Sequence, residues 1–184
     1  GSFMTEHRKT VKHFNIPGHV HELTFSCHKK APLLDADRTC EWLAEYVEDI
    51  SGELDYGILA YVFMPEHIHL VVVPRNDRYD ISLFLKRIKQ PVSRKAGNFL
   101  RKNGHLQWLR RLSDEAGHFH FWQQGPGYDR NITEESTLRK VIDYVHENPV
   151  RRGLVECATD WKWSSARYYA TGEQGPITIA EWPC

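Results

Sequence analysis

The chain has 184 residues, of which 41% are hydrophobic and 26% charged, and its 24 basic and 24 acidic side chains give a formal net charge of zero. This composition excludes a chain disordered over its whole length, a collagen and a coiled coil, and no apolar run approaches the ~18–20 residues of a membrane span. At face value, a net charge of zero also argues against a nucleic-acid partner.

Processing and compartment are predicted from the chain ends and the cysteines. The residues before Met4 have the form of an expression scar, and no signal peptide is visible. The four cysteines show no C-x-x-C spacing, which favours a reduced, cytoplasmic protein over a zinc knuckle. No repeat or linker divides the sequence, so we expect one domain over residues 4–184.

Hydrophobic periodicity predicts the elements. In chain order they are a strand at Val20–His28, a helix capped by Asp35-Ala-Asp37 and running to about Ile50, strands at Tyr56–Phe63 and His67–Val73, a helix at Ile81–Lys102, a strand at Phe119–Gln123, and a helix from Thr133 to about Glu147. Residues 103–117 have few apolar periods and are predicted to form a loop.

Local signals set the boundaries of these helices. Asp80 is a candidate N-cap, Ser51-Gly52 should stop the first helix, and Asn148-Pro149 should end the last. Pro91 should kink or split the middle helix because it lacks a backbone donor. The element order matches the split β-α-β arrangement of ferredoxin-like folds. We therefore expect an α+β protein with a central antiparallel sheet and helices on one face.

Three H-x-H pairs stand out among the eleven histidines: His19/His21, His67/His69 and His118/His120. Residues i and i+2 of a strand share a face, so any such pair on a strand could bind one metal ion. Only His67/His69 lies inside an apolar strand. On spacing alone, a structural role for the two histidines, packed under a loop, is an equal alternative to metal binding. A metal site would also need a third ligand.

Tyr144 and Asn148 are four residues apart on the last predicted helix, so they share a helix face. The amide oxygen of Asn148 is a reasonable ligand for a hard cation, and Tyr144 places a phenol beside it. Opposite His67/His69, this face would supply a third ligand and a nucleophile. Considered separately, Tyr144 is more commonly a half-buried structural aromatic, and Asn148 is more commonly a helix C-cap before Pro149.

The combination of motifs is more specific than any one of them. It comprises Met64-Pro-Glu-His-Ile-His-Leu-Val-Val, the basic helix Phe84-Leu-Lys-Arg-Ile-Lys, Tyr128-Asp-Arg-Asn-Ile, Val141-Ile-Asp-Tyr-Val-His-Glu-Asn-Pro-Val-Arg-Arg, and Asp160-Trp-Lys-Trp-Ser-Ser. Over about residues 18–169 the sequence resembles the HUH single-tyrosine transposases, specifically the REP-associated (IS200-like) tyrosine transposases. The sequence differs from compact members of this family in having a longer 102–117 segment and in having Pro91 inside the basic helix.

The resemblance implies an HUH endonuclease fold and specific roles. His67, His69 and Asn148 fall at the metal-ligand positions, and Tyr144 falls at the nucleophile position. Members nick single-stranded DNA near hairpins of repetitive extragenic palindromes (REPs), forming a 5′-phosphotyrosine, and occur as monomers or homodimers. Two imidazoles alone suit zinc, copper or nickel, but the resemblance favours Mg²⁺ or Mn²⁺. It also implies a nucleoid-associated location.

Charge is unevenly distributed along the chain. Residues 75–111 contain 11 basic and 2 acidic side chains, whereas the segments on either side are net acidic. A solvated helix face is the usual reason for such a run, but here it directly follows the histidine strand, which favours a phosphate track. The candidate DNA contacts are Lys86, Arg87, Lys89, Arg94, Lys95, Trp122, Arg130, Arg151 and Arg152; for Trp122, a core position is an equal alternative.

Two other functions remain open at this point. A non-catalytic nucleic-acid-binding module of ferredoxin-like fold would need no metal. A metal-dependent hydrolase of small substrates would use His67, His69 and Glu66, and would have a closed pocket rather than a basic groove.

Overall fold

A computed structural model describes residues 19–182 of the chain. The predicted expression scar and Cys184 lie outside these residues. The strands are β1 (Val20–Ser26), β2 (Tyr56–Phe63), β3 (His67–Pro74) and β4 (Tyr128–Ile132), and the helices are α1 (Asp37–Leu54), α2 (Ile81–Lys102), α3 (Leu106–Arg111), α4 (Glu135–Arg151) and α5 (Ala166–Thr171).

The four strands form one antiparallel sheet in the order β2-β3-β1-β4. This arrangement confirms the predicted α+β class with a central antiparallel sheet. In the register, Thr24 of β1 lies opposite His69 of β3 on one side and Tyr128 of β4 on the other. The central strands therefore bring residues from three distant parts of the sequence onto one short stretch of sheet.

Helices cover both faces of the sheet, so the prediction of helices on one face was wrong. Leu70 and Val72 of β3 pack in one core with Ile88 of α2. Val71 and Val73 point the other way and pack in a second core with α4. The sequence signal for this was the unbroken apolar run of β2, which is buried along its whole length, because a strand covered on both faces needs no polar side.

Two predicted helix ends shift and one predicted split does not occur, because packing overrides local breakers. Helix α1 continues through Gly52 and ends where Asp55 adopts φ 61°. Helix α2 passes through Pro91 without splitting, and α4 passes through Pro149 to Arg151. An interior proline removes one backbone hydrogen bond, a loss that the long buried faces of both helices offset. The predicted cap is confirmed, since Asp80 accepts a 3.2 Å hydrogen bond from the Leu83 N–H.

The fourth strand lies at residues 128–132 rather than at the predicted 119–123. The predicted segment makes only isolated bridges, pairing Trp122 with Cys27 and Phe119 with Ser113. Four of the five β4 residues are exposed, as befits an edge strand, so the alternation in its sequence was too weak to identify it. The predicted loop at 103–117 contains the short, exposed helix α3.

The segment after α4 returns to the sheet. The Trp161 indole N–H donates to the Phe63 carbonyl at 2.9 Å, and that of Trp163 donates to Asp37 at 2.9 Å. Within residues 19–182, no helix is long and apolar enough to cross a membrane.

Candidate active site

His67 and His69 lie on the face of β3 that α4 covers. Their neighbour Ile68 points into the opposite core, so strand alternation alone sets this orientation. The two Nε2 atoms are 3.1 Å apart, and His69 is buried. Two ligands bound at right angles about 2.1 Å from one ion would also lie ~3 Å apart, so the pair has the spacing of adjacent ligands.

The remaining ring nitrogens are held by neighbouring side chains. The Nδ1–H of His67 donates to Glu66 Oε1 at 3.0 Å, which leaves a lone pair on Nε2. His69 Nδ1 lies 2.9 Å from Thr24 Oγ1. When the two imidazoles contact each other, His69 donates its Nε2–H to Nε2 of His67, and the Thr24 hydroxyl donates to Nδ1 of His69. To offer Nε2 to a metal, His69 carries its proton on Nδ1 and Thr24 accepts it, as outer partners of metal-bound histidines do.

Both imidazoles favour the neutral form that a metal requires. Burial lowers the pKa of His69 to about 4, and the nearby charges of His67 and Arg151 act in the same direction. Burial also lowers the pKa of His67, although Glu66 opposes the shift. At neutral pH, protons therefore compete little for the Nε2 atoms.

Glu66 is an orienting residue rather than a third ligand. Arg152 forms a forked ion pair with it, with Nη1 2.5 Å from Oε1 and Nη2 3.3 Å from Oε2. Burial alone would raise the pKa of Glu66, but hydrogen bonds from Arg152 and His67 hold it below its ordinary range. Glu66 contacts Nδ1 of His67 and not the Nε2 atom that lies beside His69, so its position fits an orienting partner better than the third ligand of a small-substrate hydrolase.

Tyr144 projects from α4 beside the histidines. Its ring centroid is 6.4 Å from that of His69, with the two rings perpendicular, and 54% of the residue is exposed. The Arg151 guanidinium stacks 3.8 Å above the phenol ring and donates to the Tyr144 carbonyl at 2.8 Å. Tyr144 is therefore an exposed residue with a cation against its ring, rather than part of the packed core.

Asn148 is buried one turn after Tyr144, near the end of the same helix. Among residues 19–182, no group of three or more His, Cys, Asp or Glu side chains is placed to hold a metal ion. A third protein ligand would therefore have to be of another kind, and the amide of Asn148 is the donor that the sequence offers beside Tyr144. The donor set of two imidazoles and one amide oxygen fits a divalent cation that keeps water or phosphate at its other positions.

An open cleft of about 650 Å³ adjoins His69 and Tyr144. Its walls are formed by side chains of β1, β3, β4 and α4. Glu22 lies at its edge, where burial raises the carboxyl pKa and the positive charge of Arg130, 3.8 Å away, opposes the shift. The lining residues are Glu22, Thr24, His69, Tyr128, Arg130, Thr137, Lys140, Val141 and Tyr144.

The predicted DNA contacts separate into two groups. Arg130, Arg151 and Arg152 are near the histidine–tyrosine site, although Arg152 is engaged with Glu66. The α2 group lies across the sheet, because α2 packs on the opposite face, so sequence adjacency to the histidine strand did not place it beside the histidines. This second group comprises Lys86, Arg87, Lys89, Arg94 and Lys95.

Trp122 belongs to the core, which was the equal alternative. It is 7% exposed, packs edge-on against Phe25 and Phe121, and donates its indole N–H to the Lys89 carbonyl at 3.0 Å. On the same helix, Arg87 forms an exposed ion pair with Glu53.

His21 and His120, from the other two H-x-H pairs, have partners of their own. His21 bonds to Asp129 at 2.7 Å and Tyr79 at 2.9 Å, on the α2 side of the sheet. His120 pairs with Asp114 at 2.8 Å. The sequence reasoning missed Thr24 and the orienting role of Glu66; the signal for Thr24 would have been the β1–β3 register, which places it opposite His69.

Residues 16–148 match the family model described as "Transposase IS200 like". The chain belongs to the IS200-like transposase family. The matched residues include the histidine pair of β3, Tyr144 and Asn148. As a member of this family, the protein is a DNA-strand transferase.

Similar proteins agree with this family. The transposase is 28% identical over 138 residues to a REP-associated tyrosine transposase of Haemophilus influenzae, covering 70% of this chain and 73% of that one. It is 26% identical over 126 residues to the REP-associated tyrosine transposase of Escherichia coli, covering 68% of this chain and 63% of the relative. A solved REP-associated tyrosine transposase, bound to a REP hairpin, superposes with a TM-score of 0.66 at 21% identity, over 90% and 88% of the two chains.

Proposed function

We propose that this transposase cleaves and rejoins single-stranded DNA at palindromic hairpins, with Tyr144 as the nucleophile. The observation on which this rests most heavily is the position of an exposed tyrosine beside a buried and a partly buried imidazole, both favouring the neutral form, whose Nε2 atoms lie 3.1 Å apart. The hairpin substrate is proposed because the REP-associated relatives share the family and because one such protein has been solved bound to a REP hairpin.

The proposed metal ligands are His67, His69 and Asn148, with Mg²⁺ or Mn²⁺ as the ion. Such an ion, when bound, would withdraw charge from a non-bridging phosphate oxygen and so ease nucleophilic attack. Glu66 and Thr24 orient the two imidazoles through their Nδ1 atoms. Because the imidazoles resist protonation, the site keeps its donors over the neutral pH range.

The step proposed for the protein's own residues is the transfer of a DNA phosphate from a 3′-oxygen to the phenol oxygen of Tyr144. The phenol oxygen attacks phosphorus, the bond from phosphorus to the 3′-oxygen breaks, and a 5′-phosphotyrosine forms. The phenol loses a proton to solvent, and the departing 3′-oxygen gains one. A later attack by a 3′-hydroxyl on the phosphotyrosine reverses the step and joins two strands without an external energy source.

The cleft beside Tyr144 supplies the contacts that hold the strand. Lys140 and Arg130 line it and are proposed to bind phosphates, while Arg151 fixes the phenol ring from the other side. The α2 cations Lys86, Lys89, Arg94 and Lys95 are proposed as further phosphate contacts, but on the opposite face of the sheet.

A nicking assay on a labelled hairpin with single-stranded flanks tests the proposal. We expect Tyr144→Phe to abolish nicking and to retain binding, and His67→Ala to abolish nicking stimulated by Mn²⁺. If Tyr144→Phe nicks at the wild-type rate, Tyr144 is not the nucleophile. If His67→Ala keeps its response to Mn²⁺, the metal site is elsewhere.

A further inference from the structure

The loop that follows β1 holds two consecutive lysines in a backbone conformation that side chains rarely adopt. Lys29 has φ 52° and Lys30 has φ 57°, both in the left-handed region. Apart from glycine, this region favours asparagine and aspartate, and other residues placed there cost conformational free energy. Such residues persist where the surrounding structure holds them, and they are concentrated at functional sites. Two in succession, both with exposed side chains, therefore point to a use for at least one of the ammonium groups.

Backbone hydrogen bonds hold this loop against the segment that leads into β3. The Cys27 N–H donates to the Glu66 carbonyl at 2.8 Å, and the Leu34 N–H donates to the Pro65 carbonyl at 2.9 Å. Within the loop, the Lys30 N–H donates to the Cys27 carbonyl at 3.0 Å, which closes the turn. The loop is therefore fixed directly beside the start of β3, where the histidine pair begins.

The two lysines act on different histidines. Burial is the main cause that lowers the pKa of His67, and the positive charge of Lys30 acts in the same direction. The charge of Lys29 acts instead on His28, whose pKa is lowered by burial, by His120 and by this lysine. Within residues 19–182, neither lysine forms an ion pair. Lys30 is therefore an uncompensated cation at the edge of the candidate site, and Lys29 is an equivalent cation that acts away from it.

We propose that the Lys30 ammonium binds the scissile phosphate and neutralises part of the negative charge that develops on it when Tyr144 attacks. The inference rests on the proposed function and adds a residue to the same site. Lys30 keeps its proton throughout, so the bonds that form and break are those of the proposed transfer. Phosphoryl transfer is catalysed mainly by positioning and by stabilisation of charge, so a cation at this place acts on the rate of nicking. Arg152, the other cation that acts on His67, is already engaged by Glu66.

The test compares two asparagine variants of the full chain, because asparagine removes the ammonium group and tolerates the left-handed backbone. In single-turnover nicking of a labelled hairpin with Mn²⁺, Lys30→Asn should be slower than the wild type by on the order of 100-fold. Lys29→Asn is the matched control from the same loop and should nick at close to the wild-type rate. Lys30→Arg keeps the positive charge and should retain most of the activity.

The affinity for Mn²⁺ without DNA, measured by calorimetry, separates a lost phosphate contact from a damaged site. Because a nearby positive charge repels a metal ion, Lys30→Asn should bind Mn²⁺ at least as tightly as Lys29→Asn does. A distorted histidine pair would instead weaken Mn²⁺ binding and nicking together.

The assignment of Lys30 is overturned if Lys30→Asn nicks as fast as Lys29→Asn, or if it loses Mn²⁺ affinity. If Lys30→Asn fails to fold, as judged by circular dichroism, Lys30→Gly decides, because glycine adopts this backbone conformation freely. The covalent adduct on Tyr144 is scored in the same reactions. A wild-type protein that forms the adduct, beside a Lys30→Asn variant that forms it equally fast, refutes the role of Lys30 and leaves the proposed function standing. A wild-type protein without the adduct refutes the proposed function, and the role of Lys30 with it.

Discussion

Arg152 and Glu66 join the end of α4 to the start of β3 through a forked ion pair. Glu66 in turn accepts the Nδ1–H of His67. One continuous set of hydrogen bonds therefore runs from the helix that presents Tyr144 to the first histidine of the pair. It links the proposed nucleophile, Tyr144, to the proposed metal ligand, His67, although 77 residues separate them in sequence.

Removing the orienting carboxylate should weaken metal binding. We expect Glu66→Ala to reduce Mn²⁺ affinity by about 10- to 100-fold, because outer partners of metal-bound histidines contribute on this scale. Glu66→Gln should retain most of the affinity, since its amide oxygen can accept the same hydrogen bond. Calorimetric titration with Mn²⁺ measures both variants, and wild-type affinity in Glu66→Ala would show that His67 needs no orientation by this carboxylate.

Thr24 should matter through its hydroxyl. Thr24→Val keeps the shape of the side chain but cannot accept the Nδ1–H that His69 carries when its Nε2 faces a metal. We expect Mn²⁺ affinity to fall about tenfold in Thr24→Val and to be retained in Thr24→Ser. Equal affinities in the two variants would exclude the hydroxyl as the partner of His69.

His146 makes the fold sensitive to acid. It is buried against Ser165, and burial lowers its pKa from 6.5 to about 4. The unfolded chain therefore takes up this proton at a higher pH than the folded one, so the stabilisation is complete above pH 6.5 and declines as the pH falls toward 4. Between pH 7.5 and 5, His146→Gln should lose about 2 kcal/mol less unfolding free energy than the wild type, as measured in urea.

The salt dependence of hairpin binding should distinguish an arginine near the site that contacts phosphate from one that does not. Arg130 lines the cleft beside Tyr144, so Arg130→Gln should lower the slope of log affinity against log salt by about one for hairpin DNA. Arg152 already neutralises Glu66, so Arg152→Gln should leave the slope unchanged. Fluorescence anisotropy at several salt concentrations provides the slopes, and the reverse pattern would restore Arg152 as a phosphate contact.

The sequence predicted the parts of the fold where a local pattern and tertiary packing agree. Strands β2 and β3 and the Asp80 cap were identified because apolar runs and capping residues are local signals. The edge strand β4 was missed because its residues are mostly exposed. The bounds of α2 were predicted correctly, but its splitting at Pro91 was one expectation that failed, and α4 was ended too early at Pro149, because the stability of a long buried face is not a local property.

The candidate site was predictable in its residues but not in its connections. The spacing of His67 and His69, and of Tyr144 and Asn148, is visible in the sequence. The partners Thr24 and Arg152 are not, because they depend on strand register and on how α4 crosses the sheet. For the same reason, the basic α2 helix followed the histidine strand in sequence yet lies on the opposite face.

The most direct test of the central claim is to trap and map the covalent intermediate. The wild-type protein is incubated with Mn²⁺ and a hairpin labelled on the 3′ side of the cleavage position, then denatured, digested and analysed by mass spectrometry. We predict a 5′-phosphonucleotide on the peptide that contains Tyr144 and no adduct with Tyr144→Phe. An adduct on another residue, or an undiminished adduct with Tyr144→Phe, would contradict the account.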